Sequence, residues 1–404
     1  MKNNKSTFFV SAVLMVLCLM FAFSANAEIA VDDESYYAKF RDQGITINVY
    51  NWGEYISDGT DDSLDVIEEF EKISGINVNY TLFDTNEDMY AKLAHGGSSY
   101  DIIIPSDYMI ARLISEDKLE KLDFNNIPNI QYINDAYLYT DFDPNGEFSV
   151  PYTWCLVGLV YNTKYVDEAH TQSWDILWNE KYTGKVLMFG NSRDAFGIAL
   201  KKLGYSLNSE NPEEIEEAAD ALTLQKDINQ AYAMDQTFDK MANENAYAAP
   251  YYAGDIITMM ERNENLAFSY PKEGVNKFID AMCIPKGTNN KEAAEAFINF
   301  MCETEIAAAN CEYISYFTPH TAALEIVGYD ERIYPSQEVI DNSETFIMLS
   351  DDATSLMELL WLRVRASSSF DSTIFPLAII ILLSLVIFLI LYVIRQKRKI
   401  KIDY

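Results

Sequence analysis

Between Ile45 and Pro105 the spacing of apolar residues switches repeatedly between two periods, and that alternation leaves few architectures open to the chain. Ile45, Ile47 and Val49 alternate with polar residues as a strand does, and Leu64, Ile67, Phe70 and Ile73 then recur at helical spacing, with Gly75 placed as a C-terminal stop. Ile76, Val78, Tyr80 and Leu82 alternate again, Thr85 to Leu93 reads as a second capped helix, and Asp101-Ile102-Ile103-Ile104 is a short buried strand closed by Pro105. A β-α-β-α-β order calls for a mostly parallel sheet covered by helices, an α/β fold. Beyond it the reading is mixed: helices from Ala195 to Leu203, Pro212 to Leu224 and Lys291 to Met301, and strand-like pieces near Ile256 to Met260 and Ala281 to Ile284.

The two ends carry a different message. Lys2 and Lys5, an apolar run from Phe8 to Phe23 and the triplet Ala25-Asn26-Ala27 read as a secretion signal over residues 1–27. Ile374 to Ile394 is apolar apart from Ser384 and Tyr392, and about 20 such residues span a hydrocarbon core as a helix. Arg395, Lys397, Arg398, Lys399 and Lys401 follow it, a basic cluster that marks a cytoplasmic side. The expectation is a single-pass protein of the cell membrane: a tether over 367–373, a transmembrane helix over 374–394, a cytoplasmic tail over 395–404, and everything before them extracytoplasmic.

The chain sets 30 Lys and Arg against 62 Asp and Glu, a net charge of −32, and leaving out the basic ends makes the body more acidic still. That sign excludes nucleic acid as a partner and favours cationic ligands through long-range steering. Of five Cys, Cys18 leaves with the signal; Cys155, Cys283, Cys302 and Cys311 show no metal-ligand spacing, and whether a pair such as Cys302 and Cys311 is bridged stays open. His95, His170 and His320 are the only histidines, and no zinc-protease, nucleophile-elbow or phosphate-loop pattern is present, which points away from an enzyme and from any cofactor. The pair Gly96-Gly97 is read as a turn.

Several aromatics fall beside turns or strand ends rather than at core spacing: Trp52, Tyr55, Tyr108, Tyr251, Tyr252 and Tyr316. Strand ends are where α/β proteins build ligand sites. With Asp194, Asp255 and Asp280 at similar boundaries, they suggest an aromatic-walled slot equipped with carboxylates.

Tyr50-Asn51-Trp52-Gly53-Glu54-Tyr55 resembles the opening strand and turn of the bacterial spermidine/putrescine-binding proteins. Further stretches similar to that family follow in order: Met89-Tyr90-Ala91-Lys92-Leu93, Tyr100-Asp101 with Pro105-Ser106 and Tyr108, Ala199 to Ser206, Pro271-Lys272-Glu273-Gly274, and Tyr316-Phe317-Thr318-Pro319. The resemblance covers roughly Ile45 to Leu360. It implies a two-lobe, hinge-connected binding-protein fold of the periplasmic type II kind, with one lobe from 45–151 and 280–324 and the other from 152–279 and 325–366, closing over ligand by hinge motion.

Carried over by position, the resemblance implies aromatic walls from Trp52, Tyr55, Tyr108, Tyr252, Phe278 and Tyr316, and polar contacts from Ser106 and the backbone around Gly53, with Glu54 of the opening motif counted among the ligand-binding residues. Asn191-Ser192-Arg193-Asp194 departs from the acid-rich segment of spermidine binders, whereas Asp255 and Asp280 match family acids. Asp194, Asp255 and Asp280 are therefore expected to hold the ammonium groups, with putrescine placed ahead of spermidine and cadaverine or agmatine left open. The physics agrees, because a buried ammonium needs acceptors, carboxylates give charge-assisted hydrogen bonds, and aromatic faces cover methylenes. Expected partners are a polyamine, separate permease and ATPase subunits of an ABC importer, and the membrane. The alternatives are capture of iron(III), which adjacent Tyr251 and Tyr252 suggest, or of another cationic ligand, a membrane sensor, and an extracellular hydrolase.

Overall fold

The computed structural model describes residues 29–94 and 100–366. The expected signal, tether, apolar run 374–394 and basic tail, together with His95 and Gly96-Gly97, lie outside those residues.

The opening alternation folds as its periods dictate. Strands β1 (Thr46–Trp52), β2 (Asn77–Phe83) and β3 (Ile102–Ile103) run parallel, with helices Val66–Ser74 and Asn86–Ala94 between them. Asp65 starts the first helix by accepting a hydrogen bond from the Glu68 amide at 2.9 Å. Gly75 ends it at φ 72°, a left-handed conformation that glycine adopts without steric cost.

Six further strands follow: β4 (Ser149–Asn162), β5 (Val186–Phe189), β6 (Asn229–Ala233), β7 (Ala248–Tyr252), β8 (Leu266–Ser269) and β9 (Lys277–Cys283). The sheet order is β2-β1-β3-β9-β4-β7-β5-β6, with β8 beside β4. β5 lies parallel to both β6 and β7, so the sheet contains two parallel halves. The long strand β4 joins them. Its first part, Ser149–Leu156, pairs antiparallel with β9, and its second, Val157–Asn162, pairs antiparallel with β7 and β8. The result is the two-lobe architecture that the resemblance implies, with β4 and β9 crossing between lobes.

This topology places the site. The carboxyl ends of the parallel strands lead into Trp52 (β1), Asp84 (β2), Asn191 (β5) and Met234 (β6), β3 leads through Ile104 and Pro105 to Ser106, and β7 ends at Tyr252; all of these residues line one cleft between the lobes.

Two expectations are corrected here. Ile256 to Met260, read as strand-like, belongs to the helix Ala253–Arg262: short apolar runs look alike in either state, and burial of Ile256, Ile257 and Met259 serves a helix as well as a strand. Among the described residues no helix is long and apolar enough to cross a membrane. The longest, Asp351–Ala366, has 16 residues with charges at both ends. It reaches about 24 Å against a hydrocarbon core of about 30 Å.

Cys155, Cys283, Cys302 and Cys311 are buried thiols without a bridge, which closes the question of Cys302 and Cys311. His320 is structural: Nδ1 accepts from the Ala323 amide at 3.0 Å to cap the helix Thr321–Val327, and Nε2 meets the Cys302 carbonyl at 3.0 Å.

Candidate functional site

The cleft holds about 710 Å³ of space, open solvent at its mouth included. Of the twelve residues expected in the site, eleven line it: Trp52, Gly53, Tyr55, Ser106, Tyr108, Asp194, Tyr252, Asp255, Phe278, Asp280 and Tyr316. Glu54 does not. It is exposed, in the left-handed region at φ 51°, and acts on the cleft only through its charge, which helps raise the pKa of Asp235 and Asp255.

Asp280, 4 % exposed on crossing strand β9, is the most buried carboxylate of the cleft. The Tyr55 hydroxyl donates to its Oδ2 at 2.7 Å and bonds in turn with the Thr153 hydroxyl of β4. Its Oδ1 is buried without a partner in the protein, a costly arrangement for a carboxylate unless something else supplies a donor. Burial pushes the Asp280 carboxyl up to about 6; the neighbouring Ser106 and Tyr55 hydroxyls oppose the shift and the charge of Asp194 adds to it.

Asp194 stands in the first turn of helix Ser192–Leu203. Asn191 caps that helix by accepting from the Asp194 amide at 2.8 Å and donates its own amide to Asp194 Oδ2 at 2.8 Å, where the Tyr252 hydroxyl also donates at 2.8 Å. Burial again raises this carboxyl, against those two donors. Asp255, in the first turn of helix Ala253–Arg262, accepts from the Tyr316 hydroxyl at 2.9 Å; burial pushes it well up, and the charges of Asp235, Glu54 and Asp280 add to that.

Rings form the walls. The Trp52 indole is anchored by donation to the Ile104 carbonyl at 2.8 Å and lies 4.5 Å from the Phe83 ring. Tyr316 meets Tyr55 edge-on at 4.7 Å and Phe278 at 6.3 Å, while Phe278 meets Tyr252 at 5.4 Å. At Gly53 the backbone approaches the opposite lobe so closely that a β-carbon would sit 2.7 Å from Asp235 Oδ2.

Sequence reasoning missed Asp84, Glu87 and Asp235, which also line the cleft, as well as Asn86, Met234, Asn276, Phe83 and Phe346. Asn86 and Glu87 lie just ahead of a recognised family stretch; Asp235 and Phe346 carried no signal among so many acids and aromatics. In all, six carboxylates line the cleft and no Lys, Arg or His does. Such a space is built for an elongated organic cation: carboxylates for the charges, aromatic faces for the methylenes.

Iron(III) fits it poorly. The Tyr251 hydroxyl reaches only Asp235, at 3.5 Å, the Tyr252 hydroxyl is committed to Asp194, and burial pushes both phenols well above their ordinary range, away from the phenolate a metal needs. Among the described residues no group of three or more His, Cys, Asp or Glu is arranged to hold a metal ion.

The raised carboxyls set a pH dependence. A bound ammonium requires Asp280 ionised, and a proton held with a pKa of about 6 must leave first. Through Asp280 alone, cation affinity is therefore expected to fall up to tenfold per pH unit below about 6; Asp194 and Asp255, both also raised by burial, make the fall steeper and start it at higher pH where they too take up a proton. Titration calorimetry across pH 4.5–8 in two buffers of different ionisation enthalpy measures both the slope and the proton released; a pH-independent affinity contradicts this.

The profile of the bacterial extracellular solute-binding proteins matches residues 65–334. The spermidine/putrescine-binding periplasmic protein of Escherichia coli is 32 % identical over 312 residues, covering 76 % of this chain and 88 % of that protein. Among solved structures, a spermidine/putrescine ABC transporter protein from Listeria monocytogenes superposes with a TM-score of 0.76 at 34 % identity, covering 80 % of this chain and 99 % of that one. The spermidine/putrescine ABC transporter substrate-binding protein PotD of Streptococcus pneumoniae gives 0.66 at 37 % identity with the same coverage.

These relatives correct the expected location. The E. coli protein is by name periplasmic, and no described helix can cross a membrane, so the single-pass cell-membrane location and the membrane as a partner are not supported. The run 374–394 on which they rested lies outside the described residues.

Proposed function

The chain belongs to the bacterial extracellular solute-binding proteins, among the spermidine/putrescine-binding periplasmic proteins, and on that premise we propose that it is the extracytoplasmic substrate-capturing subunit of an ABC importer for polyamines. The observation that carries the reading is the state of Asp280: a buried carboxylate with one oxygen unpartnered, in a cleft of six acids and no basic side chain.

Within that reading Asp194, Asp255 and Asp280 accept from the ammonium groups. Trp52, Tyr55, Tyr108, Tyr252, Phe278 and Tyr316 wall the methylenes, and Ser106 and the Gly53 backbone supply polar contacts. Glu54 contributes field at the mouth. Residues 45–151 with 280–324 form one lobe and 152–279 with 325–366 the other, closing about β4 and β9. No residue is assigned a catalytic role, and permease and ATPase subunits complete the importer. Putrescine is placed ahead of spermidine because the Asn191 to Asp194 segment offers one carboxylate.

Calorimetric titration with putrescine, spermidine, cadaverine and agmatine tests this, with uncharged 1,4-butanediol as control. The expected result is saturable 1:1 binding of at least one amine and none of the diol. Silence from every amine, or equal binding of the diol, overturns it.

A further inference from the structure

A second cavity of about 1100 Å³, open solvent included, lies beside the cleft and shares Glu87 and Tyr108 with it. Its remaining walls include Met109, Met348, Leu349 and Met357, apolar surface suited to methylenes. Tyr108 and Phe346 stand at the junction, their rings edge to face at 5.8 Å. The Tyr108 hydroxyl is tied on the cleft side, donating to Glu87 at 2.9 Å and accepting from the Asn86 amide at 3.1 Å.

Arg193 lines the second cavity but not the cleft, with its guanidinium 4.2 Å from the Phe346 ring centroid and 5.8 Å from that of Tyr108. It cannot swing away easily, being held by the Leu207 carbonyl at 3.1 Å, Asn208 Oδ1 at 2.7 Å and the Ile347 carbonyl at 3.3 Å. A ligand pushing past Asp194 therefore meets two aromatic rings and, behind them, the fixed charge of Arg193, which opposes an ammonium beside it, while Glu87, Glu116, Asp351 and Glu358 around the second chamber would accept one that got past the rings. Phe346 presents no acceptor that would reward an ammonium at the wall.

We infer that Tyr108 and Phe346, backed by the Arg193 guanidinium, form a partition that sets the length of amine this cleft accepts, barring a longer ligand from the second chamber. The inference rests on the polyamine reading above. The chain then discriminates among linear amines at one end of the slot by a wall and a charge, not by the affinity of its carboxylates.

The test compares putrescine with spermine, a linear tetraamine, on the unmodified chain and on Phe346→Ala. The expected result is a spermine-to-putrescine affinity ratio at least tenfold higher in the variant. Adding Thr354→Trp, which fills the second chamber from helix Asp351–Ala366, is expected to return the ratio to its starting value. If Phe346→Ala does not fold, Phe346→Leu is expected to move the ratio in the same direction by a smaller factor. A ratio unchanged in a folded variant that still binds putrescine overturns the partition, as does a gain that survives Thr354→Trp. Failure of the unmodified chain to bind any amine is a different result and sinks the polyamine reading itself.

Discussion

Asp280→Asn is expected to weaken polyamine binding by at least a hundredfold while leaving the fold intact or more stable. Both halves follow from one carboxylate. Its unpartnered Oδ1 belongs to the most buried carboxylate of the cleft, and an ammonium left beside a neutral amide loses its counter-charge in a dry site. Breaking such a buried pair typically costs about 3–5 kcal/mol, and each 1.4 kcal/mol is about tenfold in affinity.

The stability half has the opposite sign. The folded carboxyl titrates at about 6, above its ordinary 3.8, so its favourable contribution is present at low pH and lost as pH rises through 6. At pH 7.5 the ionised group burdens the empty protein by about 3 kcal/mol at most, and the amide removes that burden. A thermal melt alongside calorimetry checks the pair of effects. Affinity within tenfold of the unmodified chain contradicts the role given to Asp280. Such a trade of stability for binding is common where a site needs an unpaired charge.

Gly254→Ala is expected to lower affinity about tenfold to a hundredfold through packing alone. A β-carbon at this position would lie 2.3 and 2.6 Å from carbons of the Tyr316 ring. The ring has nowhere to go without undoing the site, since it is packed against Tyr55 and Phe278 and its hydroxyl holds Asp255. Overpacking of this kind costs about 1–3 kcal/mol. On the lobe division proposed above, which puts Gly254 in the second lobe and Tyr316 in the first, opening the cleft would relieve the clash, so the melting temperature of the empty protein should move less than the affinity does. Unchanged affinity in a folded variant shows that Tyr316 is free to move and is not a fixed wall.

The opening third of the fold is legible because β2 and the helix ending at Gly75 are half exposed and keep their periods, and β1 alternates buried with part-buried residues at its start, so all three lie where the apolar spacing puts them. Strand β4 was not legible. Of its 14 residues only Tyr161 escapes full burial, so no polar alternation marks it, and its partners lie far along the chain. The helix Ala253–Arg262 was misread for a related reason, its apolar run being too short to declare a period.

In the site, aromatics at strand ends and the family pattern located eleven lining residues. Asp235 and Glu87 were hidden in a background of 62 acids, and Phe346 reaches the cleft from a segment with no strand or helix period of its own. What brings most of the cleft together is the convergence of six strand carboxyl ends, three from each of two parallel halves that run in opposite directions, a property of topology that no local spacing records.

The central claim is that this cleft captures a polyamine by its ammonium groups, and a crystal structure of the chain grown with putrescine tests it most directly. The account predicts one terminal nitrogen within hydrogen-bonding distance of Asp280 Oδ1, the methylenes lying between the rings of the cleft, and the other nitrogen at Asp194 or Asp255. Putrescine seated elsewhere, or an occupied cleft in which Asp280 Oδ1 still has no partner, would contradict it.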